Sequence, residues 1–412
     1  MKPQSMFPSK SEIKLFHGDC LEVMQGLPDS SIDCVVTDPP AGISFMGKSW
    51  DSDKGGRDAW IEWMCGVATE CLRVMKPGGH ALVWALPRTS HWTATAWENA
   101  GFEVRDVVHH AFGSGFPKSL DISKAIDKAA GAERTEVIAT RHRNVKPFDD
   151  DNGWNSNSTS GDFEYKAPAT NEAKTWEGYG TALKPAIENW ILLRKPIEKG
   201  LTIAANCLKY GTGGLAIDRC RIEGKLEGDP NRFPRAYTTE NSHDGWKRPS
   251  HENYTKPIVR AEGRFPANLI LDSSEEVRSC FPDTKSGAGS GTGSSGMFKK
   301  SGLDGASDRL SSEGSAARFF YCAKASRSER GQNNSHPTVK PLSLIQYLCK
   351  LVSNPSAGTI LDPFFGSGTL GVACEKLGIP WIGIELSEDY CEIAKARIEA
   401  ETRQMSMFEK RE

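Results

Sequence analysis

The chain of 412 residues lacks several features that mark other classes of protein. No apolar run approaches the roughly 20 residues that a membrane-spanning helix needs, and the opening residues MKPQSMFPSK lack the apolar core of a secretory signal. None of the eleven cysteines forms a CxxC pair, which argues against a zinc site or a disulfide framework and favours a reducing compartment. The sequence therefore predicts a cytoplasmic protein with no membrane partner.

A marked excess of charge of either sign is also missing. The 51 basic and 53 acidic side chains give a formal net charge of −2. Because nucleic-acid binding depends on a local basic surface rather than on total charge, this balance neither demands nor excludes such a partner. Hydrophobic residues make up 38% of the chain and charged residues 25%, as in ordinary globular proteins.

The first third of the chain alternates strand and helix patterns. Buried-strand patterns occur at 31–37, 80–86 and 103–112. Between them, apolar residues at three- and four-residue spacing predict a helix at 58–79, ended by Pro-Gly-Gly, and a second helix at 93–101. This order predicts an α/β sheet that helices cover on both faces.

The alternation returns near the end of the chain. A helix pattern at 341–353 precedes a strand pattern at 359–364 and a glycine turn. A short helix, a second strand pattern at 380–385 and a helix beginning at Ser387 follow. These elements predict a βαβ unit.

The most specific pattern is LDPFFGSGT, which holds Gly366 and Gly368 between the strand and the helix of this unit. Such a turn directs backbone N–H groups from the start of the helix toward a ligand. Glu385 ends the next strand, 17 residues after Gly368, near the spacing at which an acid binds ribose hydroxyls. Since the turn has neither G-x-G-x-x-G nor GK[ST], it favours an adenosine ligand without phosphates, and S-adenosylmethionine fits. The alternative is a tight turn without a ligand.

The second pattern is VVTDPPA, in which Asp38 ends a strand and two prolines follow. Pro39 and Pro40 restrict the backbone, so the acid and the Pro39 carbonyl are held rigidly. Two fixed acceptors suit an exocyclic amine, because accepting both of its N–H bonds withdraws the nitrogen from conjugation and frees its lone pair. The simpler alternative is a solvated aspartate in a strand-ending turn.

Together these motifs resemble the amino-group DNA methyltransferases, which flip a base out of the duplex and methylate its N6 or N4 amine. DPP near the start and FGSGT near the end, with a long variable stretch between them, are similar to the β class, whose motif order is circularly permuted. The resemblance covers residues 12–112 and 317–400 well and the middle loosely. It implies a Rossmann-like, circularly permuted methyltransferase sheet with a large inserted target-recognition region.

The resemblance also implies roles for individual residues. It places the catalytic centre at Asp38, Pro39, Pro40 and Ala41. It implies no metal ion. The implied cofactor is S-adenosylmethionine, and its product is S-adenosylhomocysteine. Asp19 would contact the adenine, Glu385 the ribose, and Thr338 and Lys340 the methionine carboxylate. The methionine end would also be contacted by the catalytic Asp38 and by the segment that contains Asp362, Phe364, Gly366, Gly368 and Thr369.

Ala41 departs from the family pattern, which has an aromatic residue after DPP. That ring stacks on the extruded base, and such stacking contributes ~1–3 kcal/mol per base. Phe45 and Trp50 are the candidates to replace it. Otherwise, losing ~2 kcal/mol would slow the reaction about thirtyfold, and the chain would be an impaired enzyme that still binds DNA.

The sequence thus predicts a site-specific methyltransferase of the restriction-modification type that methylates N6 of a flipped adenine in double-stranded DNA. Asp before the two prolines favours adenine, whereas Ser is usual in N4-cytosine enzymes, which stay the alternative. A homodimer and a location in the cytoplasm of a bacterial or phage-infected cell follow from the resemblance alone.

The domain prediction follows the same motifs. The catalytic half covers 1–112, and a polar insertion covers 113–180. Residues 181–200 return a strand to the catalytic domain. Residues 201–316 form the target-recognition region with a mobile Gly/Ser loop, and 317–412 form the cofactor-binding half.

Overall fold

The computed structural model describes residues 14–44, 47, 49–113, 115, 119–141, 163–222, 263–285, 313–323, 334, 339–356 and 358–409. The chain divides into two compact units, one formed by residues 1–111 and 187–412 and the other by residues 112–186. The predictions for Phe45, Thr338 and the Gly/Ser loop lie outside the described residues.

The strands are short, as expected for a sheet buried between helices. They are β1 (Lys14–His17), β2 (Cys34–Thr37), β3 (His80–Ala85), β4 (Glu103–Ala111), β5 (Val137–Arg141), β6 (Phe163–Lys166), β7 (Ile187–Arg194), β8 (Leu269–Asp272), β9 (Asp283–Lys285), β10 (Glu313–Ser315), β11 (Tyr321–Ala323), β12 (Ile360–Asp362) and β13 (Trp381–Glu385).

The helices complete the alternation predicted for both ends of the chain. They are α1 (Cys20–Gln25), α2 (Arg57–Val74), α3 (Ser90–Asn99), α4 (Ile122–Ala129), α5 (Asn171–Thr175), α6 (Ile203–Tyr210), α7 (Glu275–Arg278), α8 (Leu342–Val352), α9 (Thr369–Leu377) and α10 (Glu388–Glu409). Among the described helices, none combines the length and the apolar character needed to cross a membrane.

The larger unit is built on one mixed sheet, in which nine strands of the described residues pair in the order β1-β13-β12-β2-β3-β7-β4-β8-β11. β7 runs antiparallel to its neighbours β3 and β4, and the other pairs in this sheet are parallel. The last strands of the chain, β12 and β13, thus lie between β1 and β2. This arrangement confirms the predicted α/β fold, in which the two ends of the chain share one sheet.

Alternate side chains of each central strand enter two separate cores. Val36 packs in the core formed with α8, α9 and α10, and its neighbour Val35 packs in the core formed with α1, α2 and α3. Both side chains are buried, which explains why β2 reads as a continuous apolar run rather than an alternating one. The sheet is therefore covered on both faces, as predicted.

The order of the strands decides where the functional loops meet. Because β1, β13, β12, β2 and β3 are parallel, their carboxyl ends meet at one edge of the sheet. The antiparallel β7 begins at this same edge, since Ala85 at the end of β3 is paired with Asn189. We call it the carboxyl edge; in open α/β sheets this is where ligands bind.

The smaller unit contains the antiparallel pair β5–β6 together with α4 and α5. Asp127 on α4 is its central polar residue. Its carboxylate accepts hydrogen bonds from the backbone N–H groups of Ala169 and Thr170 and from the Arg134 side chain. These bonds fix the loop before α5 onto α4.

Candidate active site

The two motifs singled out in the sequence lie on neighbouring strands of the carboxyl edge. Thr37 ends β2 immediately before Asp38, and Asp362 ends β12 beside it. The Thr37 hydroxyl donates a hydrogen bond of 2.6 Å to Asp362 Oδ1, which also accepts the Phe364 N–H at 3.0 Å. A direct bond therefore joins the DPP segment to the glycine turn.

The glycine turn has the geometry that its residues predict. Gly366 and Gly368 have φ values of +55° and +81°, in the left-handed region. A Cβ on Gly368 would lie 2.7 Å from the Cβ of Ala394, so α10 leaves no room for a side chain. Arg397 on α10 also donates to the Ser367 carbonyl at 2.6 Å. Helix α10 therefore holds the turn from behind.

Glu385 ends β13 directly beside this turn. Its carboxylate accepts the N–H groups of Gly366 at 2.7 Å and Ser387 at 2.8 Å. Burial raises the pKa of Glu385, and these backbone donors act against the rise. Its carbonyl accepts the Gly18 N–H at 2.9 Å. This bond brings Asp19, the N-cap residue of α1, to the same edge of the sheet.

The carboxyl edge carries several acids whose charges act on one another. Burial raises the pKa of Asp362 to about 7; bonds from Thr37 and Phe364 oppose this, and the charges of Asp38 and Glu385 add to it. Burial also raises the pKa of Asp38. This part of the site therefore disfavours further negative charge and favours a cationic ligand.

Lys340, just before α8, is the base that faces these acids. Its ammonium lies 2.9 Å from Asp38 Oδ2 and 3.9 Å from Glu188 Oε1. It also lies 4.0 Å above the centre of the Trp84 ring. Burial acts to lower the pKa of Lys340, but the two carboxylates outweigh it and raise that pKa. The residue predicted to meet the cofactor carboxylate thus contacts the DPP aspartate directly.

The loop after the two prolines is fixed without the missing aromatic ring. The Ala41 carbonyl accepts the Thr89 hydroxyl at 3.2 Å, and the Gly42 N–H donates to Asp51 Oδ1 at 3.0 Å. A Cβ on Gly42 would lie 2.6 Å from the Trp60 ring. Since Trp60 is only 1% exposed, its ring supports the loop and is not open to a base.

The other rings near this loop are less buried. Trp50 is half-buried in a 3₁₀ turn next to Asp51, whose side chain holds the loop. Trp63 and Trp92 are half-buried and lie 6.2 Å and 6.0 Å from Trp60. Trp50 is thus the predicted stacking candidate that the structure describes.

Residues 42–49, GISFMGKS, also match the G-x-x-x-x-G-K-[ST] motif of triphosphate-binding loops. In such a loop the chain passes directly into a helix whose N–H groups face the phosphates. Here residues 49–51 form a single 3₁₀ turn, and α2 begins only at Arg57. The motif is therefore not followed by the helix that a phosphate-binding loop requires.

Three side chains of the site were not singled out by sequence motifs. Glu188 and Trp84 lie within ordinary strand patterns, and Arg397 lies on an ordinary helix face. What places them at the site is strand register and helix packing, which the local pattern does not contain. Among the described residues, no cluster of three or more His, Cys, Asp or Glu side chains is arranged to hold a metal ion.

Comparison with known proteins agrees with the motifs. A family model of N6 and N4 methyltransferases, described as "DNA methylase", matches residues 32–396. The type II methyltransferase M.BamHI of Bacillus amyloliquefaciens is 33% identical over 75 residues, which is 18% of this chain and 18% of that protein. M.SmaI of Serratia marcescens is 48% identical over 64 residues, 16% of this chain and 22% of that protein. The matched segments span less than a quarter of either relative.

Among solved structures, the cytosine-N4-specific PvuII DNA methyltransferase aligns with a TM-score of 0.45 at 13% identity, covering 95% of this chain and 89% of that one. The family model, in contrast, extends from β2 to α10 and includes both motifs. On that match, the chain belongs to the N6/N4 amino-group DNA methylase family.

Proposed function

We propose that this chain transfers a methyl group from S-adenosylmethionine to the exocyclic amine of a base flipped out of DNA. The observation that supports the proposal is the hydrogen bond between Thr37 and Asp362, since it joins the segment predicted to bind the amine to the segment predicted to bind the cofactor. Membership of the DNA methylase family supports the same reaction.

The residues at the carboxyl edge fit this cofactor. Its sulfonium and its ammonium group are cationic, which suits an edge lined by Asp38, Asp362 and Glu385. A polyphosphate would be repelled there. Lys340 supplies a positive charge for the single carboxylate, and Glu385 supplies acceptors for the ribose. When bound, the cofactor supplies a methyl carbon already activated by the positive sulfur.

Asp38 would hold the target amine. Among the described residues, the Lys340 ammonium lies 2.9 Å from Oδ2, so Oδ1 is the oxygen proposed to accept one N–H of the amine. The Pro39 carbonyl would accept the other, so that the nitrogen lone pair is directed at the methyl carbon. Because burial raises the pKa of Asp38, this carboxylate is also suited to receive the proton that the amine loses.

We further propose adenine N6 as the methylated position, because Asp38 rather than Ser precedes the prolines. The cofactor contacts predicted for Asp19, Glu385 and the glycine turn are part of this proposal. The relatives M.BamHI and M.SmaI are type II methyltransferases, which supports a role in restriction-modification on double-stranded DNA. A homodimer stays a prediction of the family resemblance.

The proposal is tested by transfer of labelled methyl groups from S-adenosylmethionine to mixed-sequence duplex DNA. The chain is compared with Ala41→Tyr, which restores an aromatic ring, and with Ala41→Leu, which adds bulk without one. We expect transfer by the chain itself and up to about thirtyfold faster transfer by Ala41→Tyr only. Equal rates for all three would show that another ring stacks on the base.

Digestion of the methylated DNA to nucleosides identifies the base. N6-methyladenine is the expected product, and N4-methylcytosine would replace the adenine assignment while leaving the amino-methyltransferase proposal intact. Transfer to DNA by none of the three chains, with cofactor binding retained, would overturn DNA as the substrate.

A further inference from the structure

A row of polar side chains crosses the carboxyl edge beyond Asp38. In the parallel pairing of β2 and β3, Thr37 is paired with Val83, so Asp38 and Trp84 follow as neighbours. Trp84 is paired with Trp190 on β7, and Glu188 lies two residues before Trp190, on the same face. His110 on β4 is paired with Glu188. The row therefore runs across four adjacent strands.

This face of the sheet is the one that α8 covers. Leu82, Val108 and Trp190, which precede or flank the row, pack in the same core as α8. Lys340 is two residues before α8, and its side chain contacts the row at Asp38 and Trp84. The carboxylates of Asp38 and Glu188 both lie within 4 Å of its ammonium, so they are no more than about 7 Å apart, which is near enough for one charge to shift the pKa of the other.

The Lys340 ammonium has more contacts than a single ion pair. Its side chain is only 10% exposed, and it has an ion pair, a second carboxylate at 3.9 Å and an aromatic face at 4.0 Å. Burial acts to raise the pKa of Glu188, but Lys340 and His110 outweigh it and lower that pKa to about 2. The surroundings of Glu188 thus favour its charged form.

A lysine beside Asp38 has two possible effects on an amine-binding carboxylate. It keeps the carboxylate ionised, which helps, but an ammonium with several donors also competes with the amine for both oxygens. A second carboxylate near the ammonium gives its donors an acceptor other than Asp38. Glu188 is such a carboxylate, since its Oε1 lies 3.9 Å from the Lys340 ammonium.

We propose that Glu188 is a positioning residue that holds the Lys340 ammonium on a single oxygen of Asp38 and so keeps the other oxygen open for the target amine. The inference rests on the proposed methyl-transfer function and adds a residue to its site.

The charges around Asp38 give this arrangement a pH signature. Asp38 is faced by Lys340 and Glu188, by Asp51 in the loop and by Asp362 on β12. The negative charge of Glu188 raises the pKa of Asp38, and the positive charge of Lys340 lowers it. Asp38 must be ionised to accept the amine, so activity falls as the pH drops through its pKa.

The decisive variants are therefore Glu188→Gln and Lys340→Gln, measured as the pH dependence of kcat for methyl transfer. The acid limb should move to lower pH in Glu188→Gln and to higher pH in Lys340→Gln, each by roughly one pH unit. Glu103→Gln is the matched control, because Glu103 pairs with Arg194 at the opposite end of the same two strands. It should leave the limb in place.

A merely structural role of Glu188 would lower the rate without moving the acid limb, and that result would overturn the inference. A second measurement does not depend on activity. In Glu188→Gln, Lys340 should react faster with acetic anhydride, by up to tenfold for each unit that its pKa falls, as read by peptide mass spectrometry against the other lysines. Unchanged labelling would also contradict the inference.

These measurements separate the two proposals. Absence of methyl transfer by the unaltered chain would reject the proposed function, and the labelling would still show whether Glu188 holds Lys340. Methyl transfer with an unmoved limb would keep the function and reject the role of Glu188.

Discussion

The two ends of strand β2 carry aspartates that the fold treats in opposite ways. Asp33, just before the strand, is 5% exposed and accepts Lys76 at 2.8 Å and Asn354 at 2.7 Å on Oδ1, and the Thr359 N–H at 2.9 Å on Oδ2. Asp38, just after the strand, is 26% exposed, and among the described side chains it pairs with Lys340 alone.

The difference separates a fully bonded carboxylate from one for which we propose a ligand-binding role. Asp33 has donors on both oxygens and joins β2 to the turn between α8 and β12; a Cβ on Gly358 would lie 2.1 Å from its Cγ. Asp38 pairs through Oδ2 with Lys340 in the part of the chain that the structure describes, and it lies at the edge where ligands bind in open α/β sheets. Asp362 at the same edge is similar, since both of its hydrogen bonds from described residues are on Oδ1. Such incomplete neutralisation of a buried acid is costly for stability and useful for binding a cation.

The largest effect should come from Asp38→Ala. Removing a fixed polar group that acts on the reacting atoms typically costs ~10²–10³-fold in rate, so methyl transfer should fall at least that far. Stability should change little, because Lys340 keeps Glu188 as a partner. Single-turnover rates and denaturant unfolding measure the two quantities. A variant that loses stability but keeps its activity would show that Asp38, like Asp33, has a structural role.

The same substitution at the other end, Asp33→Ala, should have the reverse outcome. It leaves the Asn354 amide and the Thr359 N–H without their acceptor and Lys76 without its partner. The free energy of unfolding should drop by about 2–4 kcal/mol. The methyl-transfer rate per folded molecule should stay the same, and a large loss of that rate in a stably folded variant would contradict the comparison.

The sequence was sufficient for those parts of the site that depend on local pattern. Gly366, Gly368 and Glu385 were placed correctly between and after strands because a buried βαβ unit has strong apolar periodicity. β1 was not predicted, and the entry of β8 and β11 into the main sheet was not either. Such short segments are strands only because a neighbouring strand pairs with them.

The same limit applies to side chains. Asp38 and Asp362 are recognisable from their motifs, but the contacts of Lys340 with Asp38 and Glu188 join segments far apart in the chain. Burial, strand register and charge in the folded sheet decide such contacts, and a local stretch of about ten residues determines none of these.

Asp362 gives the smallest but most diagnostic effect, since it lies between the two cases. Like Asp33 it accepts two hydrogen bonds, from Thr37 and Phe364, but both are on Oδ1. Its folded-state pKa of about 7 is above the unfolded value of 3.8, so the folded protein holds this proton more tightly. The stability that Asp362 contributes is therefore full below about pH 4 and is lost as the pH rises through 7.

Asp362→Asn keeps the accepting oxygen and removes the charge, so it mimics the protonated acid at every pH. At pH 8 the variant should be more stable than the unaltered chain, by on the order of 2 kcal/mol, and the difference should vanish at about pH 3.5, below both pKa values. Denaturant unfolding at the two pH values measures it. A constant difference would mean that Asp362 is as fully neutralised as Asp33. A difference that appears only at high pH would show that the fold sacrifices stability to keep a second carboxylate beside Asp38.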